Sequence, residues 1–176
     1  MESYFEKTAP ENLCENMFSR IGKEGALLCV RDEKRKCNAM TVSWGTFGVL
    51  WGKNVCFLFV RESRYTNELL KECDEISLNF LGECAKKIMS YCGKTSGRNV
   101  DKISDTGLTL FSENGVDCIS ESEMIMICKK IYRSQFSKEK FADGMLYEKF
   151  YSNGDLHDIF IFEIEQTLKR KNVLKV

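Results

Sequence analysis

The sequence contains very little histidine and proline and carries no net charge. One His (His157) and one Pro (Pro10) occur in 176 residues, and 26 Lys and Arg residues balance 26 Asp and Glu residues. A single His excludes any metal site or catalytic scheme that needs two imidazoles. The zero net charge argues against a nucleic-acid-binding protein, which normally presents a basic face. We therefore expect demanding chemistry, if any, to depend on something other than histidine.

Long apolar stretches and paired cysteine motifs are also missing. No apolar run reaches the ~20 residues that a bilayer-spanning helix needs, so we expect no membrane partner. The nine cysteines include no C-x-x-C pair, and their odd number does not suit a complete disulfide framework. The first 20 residues carry four glutamates and no apolar run, which is unlike a secretory leader. These observations predict reduced thiols, no metal site and a cytoplasmic protein.

The common glycine motifs of nucleotide-binding proteins are absent as well. The segment Gly93-Lys94-Thr95 is similar to the end of a P-loop, but Ile88 occupies the position of the first required glycine. The sequence contains no G-x-G-x-x-G motif. Nucleotide binding of the P-loop or Rossmann type is therefore disfavoured.

Hydrophobic patterning predicts about seven strands and three short helices. Strands are expected at residues 25–30, 37–44, 55–60, 76–80, 124–132 and 156–168, and Asn114-Gly115 marks a hairpin. Helices are expected at residues 12–21, after residue 65 and at residues 85–92, with a loop at 93–104. Short connections favour a mostly antiparallel β-barrel with flanking helices over a parallel α/β sheet. No linker divides the chain, so residues 1–176 are expected to form a single domain.

One short segment has the features of a phosphate site. It follows a buried strand, opens a helix and comprises Arg61, Glu62, Ser63, Arg64, Tyr65 and Thr66. A helix N-terminus offers free backbone N–H groups and a partial positive charge, and arginine adds bidentate hydrogen bonds. Ser63 is the predicted N-cap of this helix. The alternative is an ordinary capped helix with surface arginines.

Three other segments are candidates for a binding site. The strand end at residues 38–45 places polar side chains beside Trp44, which suits a flat heteroaromatic ring; the alternative is a packed strand with a core tryptophan. The loop at residues 96–102 carries two cations and a glycine, and either closes over a ligand or lies in solvent. His157 stands between Asp155 and Asp158, where it is either an auxiliary proton donor or a partly exposed polar residue.

In this order and spacing, the segments resemble the flavin reductase-like family with the FMN-binding split-barrel fold, and most closely its flavoredoxin-type branch. The resemblance covers a core of about residues 20–168. It rests on Asn38-Ala39-Met40-Thr41-Val42-Ser43-Trp44-Gly45, Leu50-Trp51-Gly52-Lys53, Val60-Arg61-Glu62-Ser63-Arg64-Tyr65-Thr66, Gly93-Lys94-Thr95-Ser96-Gly97-Arg98-Asn99-Val100-Asp101-Lys102 and Gly154-Asp155-Leu156-His157.

The resemblance implies that these blocks bind the cofactor. The flavin ring and ribityl chain are expected against Asn38, Ala39, Met40, Thr41, Val42, Ser43 and Trp44. The FMN phosphate is expected at the turn formed by Arg61, Ser63, Arg64, Tyr65 and Thr66. Positions near the flavin are expected for Ser96, Arg98 and Lys102. Members of the family are usually homodimers with FMN at the subunit junction.

The resemblance further implies an FMN-binding oxidoreductase. In this interpretation NADH or NADPH reduces the flavin, and electrons pass to free flavin, a metal complex or a redox protein. No side chain is required as a nucleophile, and His157 is at most an auxiliary group. Two alternatives remain: a non-catalytic FMN-binding electron carrier or sensor, and a flavin-free barrel that binds a small molecule or heme.

Overall fold

The computed structural model describes residues 4–34 and 36–171, and this part of the chain contains ten strands and five α-helices. The strands are β1 (Phe5–Thr8), β2 (Ala26–Arg31), β3 (Cys37–Val42), β4 (Gly45–Leu50), β5 (Lys53–Arg61), β6 (Glu75–Phe80), β7 (Leu110–Glu113), β8 (Val116–Ile119), β9 (Met124–Gln135) and β10 (His157–Arg170). The helices are α1 (Met17–Ser19), α2 (Tyr65–Glu72), α3 (Lys86–Lys94), α4 (Lys102–Thr106) and α5 (Gly144–Tyr151). A π-helical turn (Arg20–Glu24) extends α1.

Eight strands form one antiparallel sheet whose two ends come together. The strand order is β3-β2-β6-β9-β10-β5-β4, and β1 pairs with β10. Only Ser43 and Trp44 separate β3 from β4 in the sequence, so the first and last strands of this path are held close to each other. The sheet therefore curves into a barrel that is not fully closed, with β3 and β4 as its two edges. β7 and β8 form a separate hairpin around Asn114-Gly115.

The interior of the barrel is one apolar cluster to which six strands contribute. Because side chains alternate across a strand, only every second residue of each strand can point inward. Buried members of the cluster, one from each strand, are Leu28, Met40, Leu58, Leu78, Met126 and Phe160. Six strands that send alternate residues to one cluster must surround it, so the apolar patterning of the sequence explains the closure.

A second apolar layer holds α3 against the outside of the barrel. Met89 and Cys92 of α3 pack with Leu27 of β2 and Ala39 of β3. Thr41 Oγ1 also donates a hydrogen bond to the Met89 carbonyl oxygen at 2.6 Å. The helix is thus fixed to β3, the strand that forms one end of the sheet.

The predicted fold class, a mostly antiparallel barrel with flanking helices, is confirmed, and each predicted strand is present with bounds that differ by a few residues. The single helix expected at residues 12–21 is wrong, because that region forms short turns around α1. The loop expected at residues 93–104 ends early, because Asp101 caps α4 by accepting from the Ser104 N–H. The patterning does not predict β4 or α5. β4 contains Gly48 and an exposed Val49, so it lacks the apolar alternation of a half-buried strand.

Candidate functional site

A cleft of about 310 Å³ opens between β3 and β5. The residues that line it are Met40, Thr41, Val42, Ser43, Trp44, Phe59, Val60, Arg61, Arg64, Gly93 and His157. The volume lies near the lower end of the ~300–1,000 Å³ that small-molecule pockets occupy. Eight of these residues are predicted site residues, so the fold brings the strand end, the arginine turn and the histidine together.

β3 forms one wall of the cleft with its edge. The strand ends the sheet order and pairs with β2 on one side only. Among the described residues, no strand uses the backbone N–H and C=O groups of its other side. Met40, Thr41 and Val42 border the cleft, whereas Ala39 packs in the outer layer against α3. An edge of this kind can hydrogen-bond the polar rim of a flat ring.

The N-terminus of α2 lies beside the cleft and has no capping side chain. Arg64 is its N-cap residue, and the Arg64 side chain donates instead from Nη2 to the Gly93 carbonyl oxygen at 2.5 Å. The prediction that Ser63 caps the helix is wrong. The Ser63 N–H and hydroxyl donate to the Asp155 carboxylate at 3.1 and 2.8 Å. The first N–H groups of α2 therefore remain available to a bound anion.

Arg61, at the end of β5, is largely committed to the connection between α5 and β10. Its Nη1 donates to the Asp155 carbonyl oxygen at 2.6 Å, and its Nη2 donates to the Phe150 carbonyl oxygen at 3.1 Å. The guanidinium carbon lies 5.2 Å from the centre of the Tyr151 ring. Arg61 still lines the cleft and contributes positive charge, but Arg64 has more donors left for a ligand.

His157 begins β10 and is the register partner of Arg61 on β5. The residue is only 6% exposed, and its Nδ1 lies 2.9 Å from Tyr151 Oη. Burial, together with the nearby Arg61 charge, lowers the pKa of His157 from 6.5 to about 4, although Asp155 partly opposes the shift. The ring is therefore neutral at physiological pH. The role of auxiliary proton donor stays a prediction, and at this pH it rests on a neutral imidazole.

Trp44 occupies the turn between β3 and β4 at the mouth of the cleft. It is 40% exposed, which contradicts the alternative of a core tryptophan. Its ring centroid lies 5.0 Å from that of His157 and 5.5 Å from that of Phe150. Phe150 and Tyr151 belong to α5, which the sequence interpretation does not include in the site. The helical spacing of Tyr147, Phe150 and Tyr151 is the signal in the sequence that marks this face.

The loop that precedes α4 lies outside the cleft. Arg98 forms an ion pair with Glu68 and stacks over the Tyr65 ring, 5.1 Å from its centre. The Ser96 hydroxyl oxygen accepts a hydrogen bond from the Arg98 N–H at 3.3 Å. None of Tyr65, Ser96 and Arg98 lines the cleft, so their predicted contact with a cofactor stays a prediction.

Asn38, Thr66 and Lys102 form a buried polar group behind the cleft. Asn38 Nδ2 donates to Thr66 Oγ1 at 2.9 Å, while Asn38 Oδ1 is buried without a hydrogen-bond partner. A Cβ atom at Gly97 would overlap that oxygen, so only glycine fits there. Burial lowers the pKa of Lys102, and the Arg64 charge lowers it further. The Asn38–Thr66 hydrogen bond joins β3 to α2, and Lys102 joins α4 to α3 by donating to the Cys92 carbonyl oxygen at 3.2 Å. None of the three residues lines the cleft.

The electrostatics of the cleft favour an anionic ligand. Two arginines and no carboxylate line it, and the positive end of α2 lies beside it. Within residues 4–34 and 36–171, no group of three His, Cys, Asp or Glu side chains could hold a metal ion. No helix in those same ranges is both long and apolar enough to cross a membrane.

Comparison with solved structures places the fold among flavin proteins. Flavoredoxin from Methanosarcina acetivorans is 23% identical over 82% of this chain and 67% of its own, with a TM-score of 0.65. An FMN-binding protein from Thermus thermophilus with bound p-hydroxybenzaldehyde is 20% identical over 100% of this chain and 86% of its own, with a TM-score of 0.67. The styrene monooxygenase flavin reductase of Pseudomonas putida is 16% identical over 82% of this chain and 79% of its own, with a TM-score of 0.59.

Comparison at the level of sequence families agrees with the structural likeness. Comparison with curated protein sequences gives no match. The family model of the flavin reductase like domain matches residues 18–175, which is most of the chain. Together with the barrel and its cleft, this match shows that the protein belongs to the flavin reductase-like family.

Proposed function

We propose that the protein binds FMN in the cleft between β3 and β5 and acts as a flavin-dependent oxidoreductase. One observation carries the proposal: the free edge of β3, the Trp44 indole and the uncapped N-terminus of α2 meet at the same cleft. FMN has a flat ring with a polar rim at one end and a phosphate at the other. The cleft offers a partner for each of these parts.

The residues present fit the phosphate end of FMN. Arg64 would hold it together with the N–H groups of Tyr65 and Thr66, which no side chain caps. Arg61 adds positive charge, and no carboxylate lines the cleft to repel a dianion. Ser63 is a weaker candidate, because Asp155 already accepts hydrogen bonds from its N–H and hydroxyl.

The residues also fit the ring end. The edge of β3 at Met40 to Val42 would hydrogen-bond the polar rim, and Ser43 and Trp44 would border the ring. FMN, when bound, supplies the hydride and electron transfer chemistry. The chain binds the cofactor, orients it and surrounds it with positive charge.

We propose NADH or NADPH as the electron donor, and free flavin, a metal complex or a redox protein as the second acceptor. The solved relatives support this choice, because one is the flavin reductase of a styrene monooxygenase and another is a flavoredoxin. A second candidate is a non-catalytic FMN-binding carrier or sensor. The modest cleft of about 310 Å³ favours that alternative, since a reductase must accommodate a nicotinamide as well as the flavin.

We also propose a cytoplasmic homodimer with FMN near the subunit junction. Family resemblance is the support for the dimer. The support for the compartment is that all nine cysteines are free thiols, as in proteins of a reducing environment.

An absorbance spectrum tests the proposal most directly. The purified protein should show the flavin bands or acquire them when FMN is added. Anaerobic mixing with NADH or NADPH should then bleach those bands. Absence of flavin bands together with no uptake of FMN would overturn FMN binding and favour a flavin-free barrel. Uptake of FMN without bleaching by either nucleotide would favour the carrier or sensor.

A further inference from the structure

Three ring side chains form an aromatic wall beside the cleft: Trp44, Phe150 and His157. Trp44 meets Phe150 edge to face at 5.5 Å and an interplanar angle of 88°, and it meets His157 at 5.0 Å and 34°. Trp44 and Phe150 are 40% and 36% exposed, so both rings present area to an incoming molecule. Two partly exposed rings in contact at the mouth of a cleft offer a surface on which a planar molecule can pack.

The aromatic wall is held in place from the barrel. Arg61 donates to the Phe150 carbonyl oxygen at 3.1 Å and lies over the Tyr151 ring. The Tyr151 ring also contacts Phe141, with 5.6 Å between the ring centroids. The wall is therefore formed before a ligand arrives, which lowers the entropic cost of binding.

His157 adds a polar group to this wall. Its Nδ1 is engaged by Tyr151 Oη at 2.9 Å, and Nε2 has no hydrogen-bond partner within the described ranges. When Tyr151 donates to Nδ1 of the neutral ring, the remaining proton resides on Nε2. Since His157 lines the cleft, Nε2–H can donate to an oxygen atom of a molecule packed on the wall.

We propose that the aromatic wall is the acceptor subsite and that it takes a planar, conjugated carbonyl compound of the quinone type. Because the two rings are perpendicular, one of them packs on the face of the quinone and the other contacts its edge. His157 Nε2 donates to a carbonyl oxygen. Arg61, the register partner of His157, supplies positive charge beside that oxygen. A metal complex without a flat conjugated face would gain little from the two rings.

This inference rests on the proposed function and names the class of its second substrate. NAD(P)H gives up a hydride, solvent gives a proton, and the quinone gains two electrons and two protons. The products are NAD(P)⁺ and the hydroquinone. Positive charge from Arg61 favours the electron-rich oxygen that develops as the quinone is reduced.

The test is a binding measurement that needs no turnover. Duroquinone is dialysed to equilibrium against the oxidised, FMN-loaded protein without NAD(P)H. Its ring is fully methylated, so cysteine thiols of the protein do not add to it. Phe150→Ala should weaken binding roughly 3- to 10-fold. The matched control is Tyr132→Ala, which removes an exposed ring of β9 that packs against Trp51, and it should leave the affinity unchanged. Saturation with duroquinone should also shift the NMR signal of the Nε2 atom of His157, the only histidine in the chain.

Each outcome either supports or contradicts the acceptor subsite. Unchanged affinity in Phe150→Ala, or an unshifted His157 signal at saturation, would overturn the acceptor subsite. Phe150→Leu, which keeps an apolar side chain in α5, replaces Phe150→Ala if the alanine variant does not fold. A protein that takes up no FMN but binds duroquinone through Phe150 would contradict the proposed function and support the ligand class. A protein that takes up FMN but does not bind duroquinone would support FMN binding and contradict the ligand class.

Discussion

Arg61 of β5 and His157 of β10 are register partners, and both reach from that pair to the same neighbouring helix, α5. Arg61 donates to the Phe150 carbonyl oxygen, and the His157 ring is hydrogen-bonded to the Tyr151 hydroxyl. This pair of residues, both of which line the cleft, therefore connects the cleft to α5. A change at either residue should affect the position of α5, and a change at Arg61 should also alter the charge of the cleft.

Arg64→Ala should weaken FMN binding by about 1–3 kcal/mol, because it removes a charged hydrogen-bond donor from the proposed phosphate site. Lys53→Ala is the matched control. It also removes a cation, but Lys53 pairs with Glu163 at the opposite end of β5 from Arg61. Titration of flavin-free protein with FMN, followed by absorbance, measures both variants. Equal affinity in Arg64→Ala and Lys53→Ala would contradict the assignment of the phosphate site.

Arg61→Ala should loosen α5 as well as weaken FMN binding. The substitution removes hydrogen bonds to two carbonyl groups and the contact with the Tyr151 ring. Amide hydrogen exchange in α5 should become faster, while exchange in the interior of β9 stays slow. Arg61→Lys should restore only part of the protection, since an ammonium group cannot reproduce the guanidinium fork. Unaltered exchange in α5 would show that Arg61 does not anchor it.

The pH dependence of stability should report His157. Its pKa is about 4 in the folded protein and 6.5 as the reference for the unfolded chain. Between these values the unfolded chain binds a proton that the folded protein does not, so the free energy of unfolding falls as the pH falls. The free energy of unfolding should be lower by about 2–3 kcal/mol near pH 4, and this loss should be absent above pH 6.5.

Urea denaturation at stepped pH values measures this effect. His157→Gln is the control, because it removes the titrating ring and keeps a polar side chain. The difference in unfolding free energy between the two proteins should change with pH only in the acidic range. NMR titration of the lone imidazole gives the pKa directly, and a midpoint near 6.5 would contradict the structure.

Arg133→Met should destabilise the protein by about 3 kcal/mol, because it leaves a buried carboxylate without its cation. Asp158 is fully buried and accepts hydrogen bonds from Arg133 Nε at 2.9 Å and from Asn67 Nδ2 at 3.2 Å. Its carboxylate also forms an ion pair with Arg133 Nη2 at 2.7 Å. Adding Asp158→Asn to the Arg133→Met variant should recover part of the loss. Urea denaturation of the four proteins of this double-mutant cycle measures the coupling. A double variant no more stable than Arg133→Met would contradict it.

Gly97→Ala should destabilise the protein by about 1–3 kcal/mol, because the new methyl group would overlap the Asn38 side chain. The displaced Asn38 would lose its hydrogen bond to Thr66. Because this bond joins β3 to α2, the two elements proposed to bind FMN, the affinity for FMN should fall too. Gly48→Ala is the control, since a Cβ there meets nothing within 4 Å. Thermal denaturation compares the two variants, and equal melting temperatures would argue against the close packing at Gly97.

The sequence was sufficient for the barrel and for most of the cleft because both depend on local patterns. Alternating apolar residues mark the strands, and the blocks that contain Trp44, Arg64 and His157 mark the cleft. The failures depend on contacts that are distant in sequence. Ser63 has the residue type of an N-cap, but Arg64 occupies that position, and Asp155, 92 residues beyond Ser63, accepts the hydrogen bonds of Ser63. No local pattern can predict that competition, nor that α5 would bring Phe150 beside Trp44.

The position of β10 in the chain has a consequence for protein synthesis. Among the described strands, β10 is translated after all the others, and it alone joins β9 to β5 within the sheet. Until it emerges, the path from β3 to β4 is interrupted, and His157 is not yet opposite Arg61. A nascent chain of this protein should therefore acquire its cleft only after β10 has been translated. A cofactor that binds there can stabilise the finished barrel but cannot assist the earlier steps of its folding.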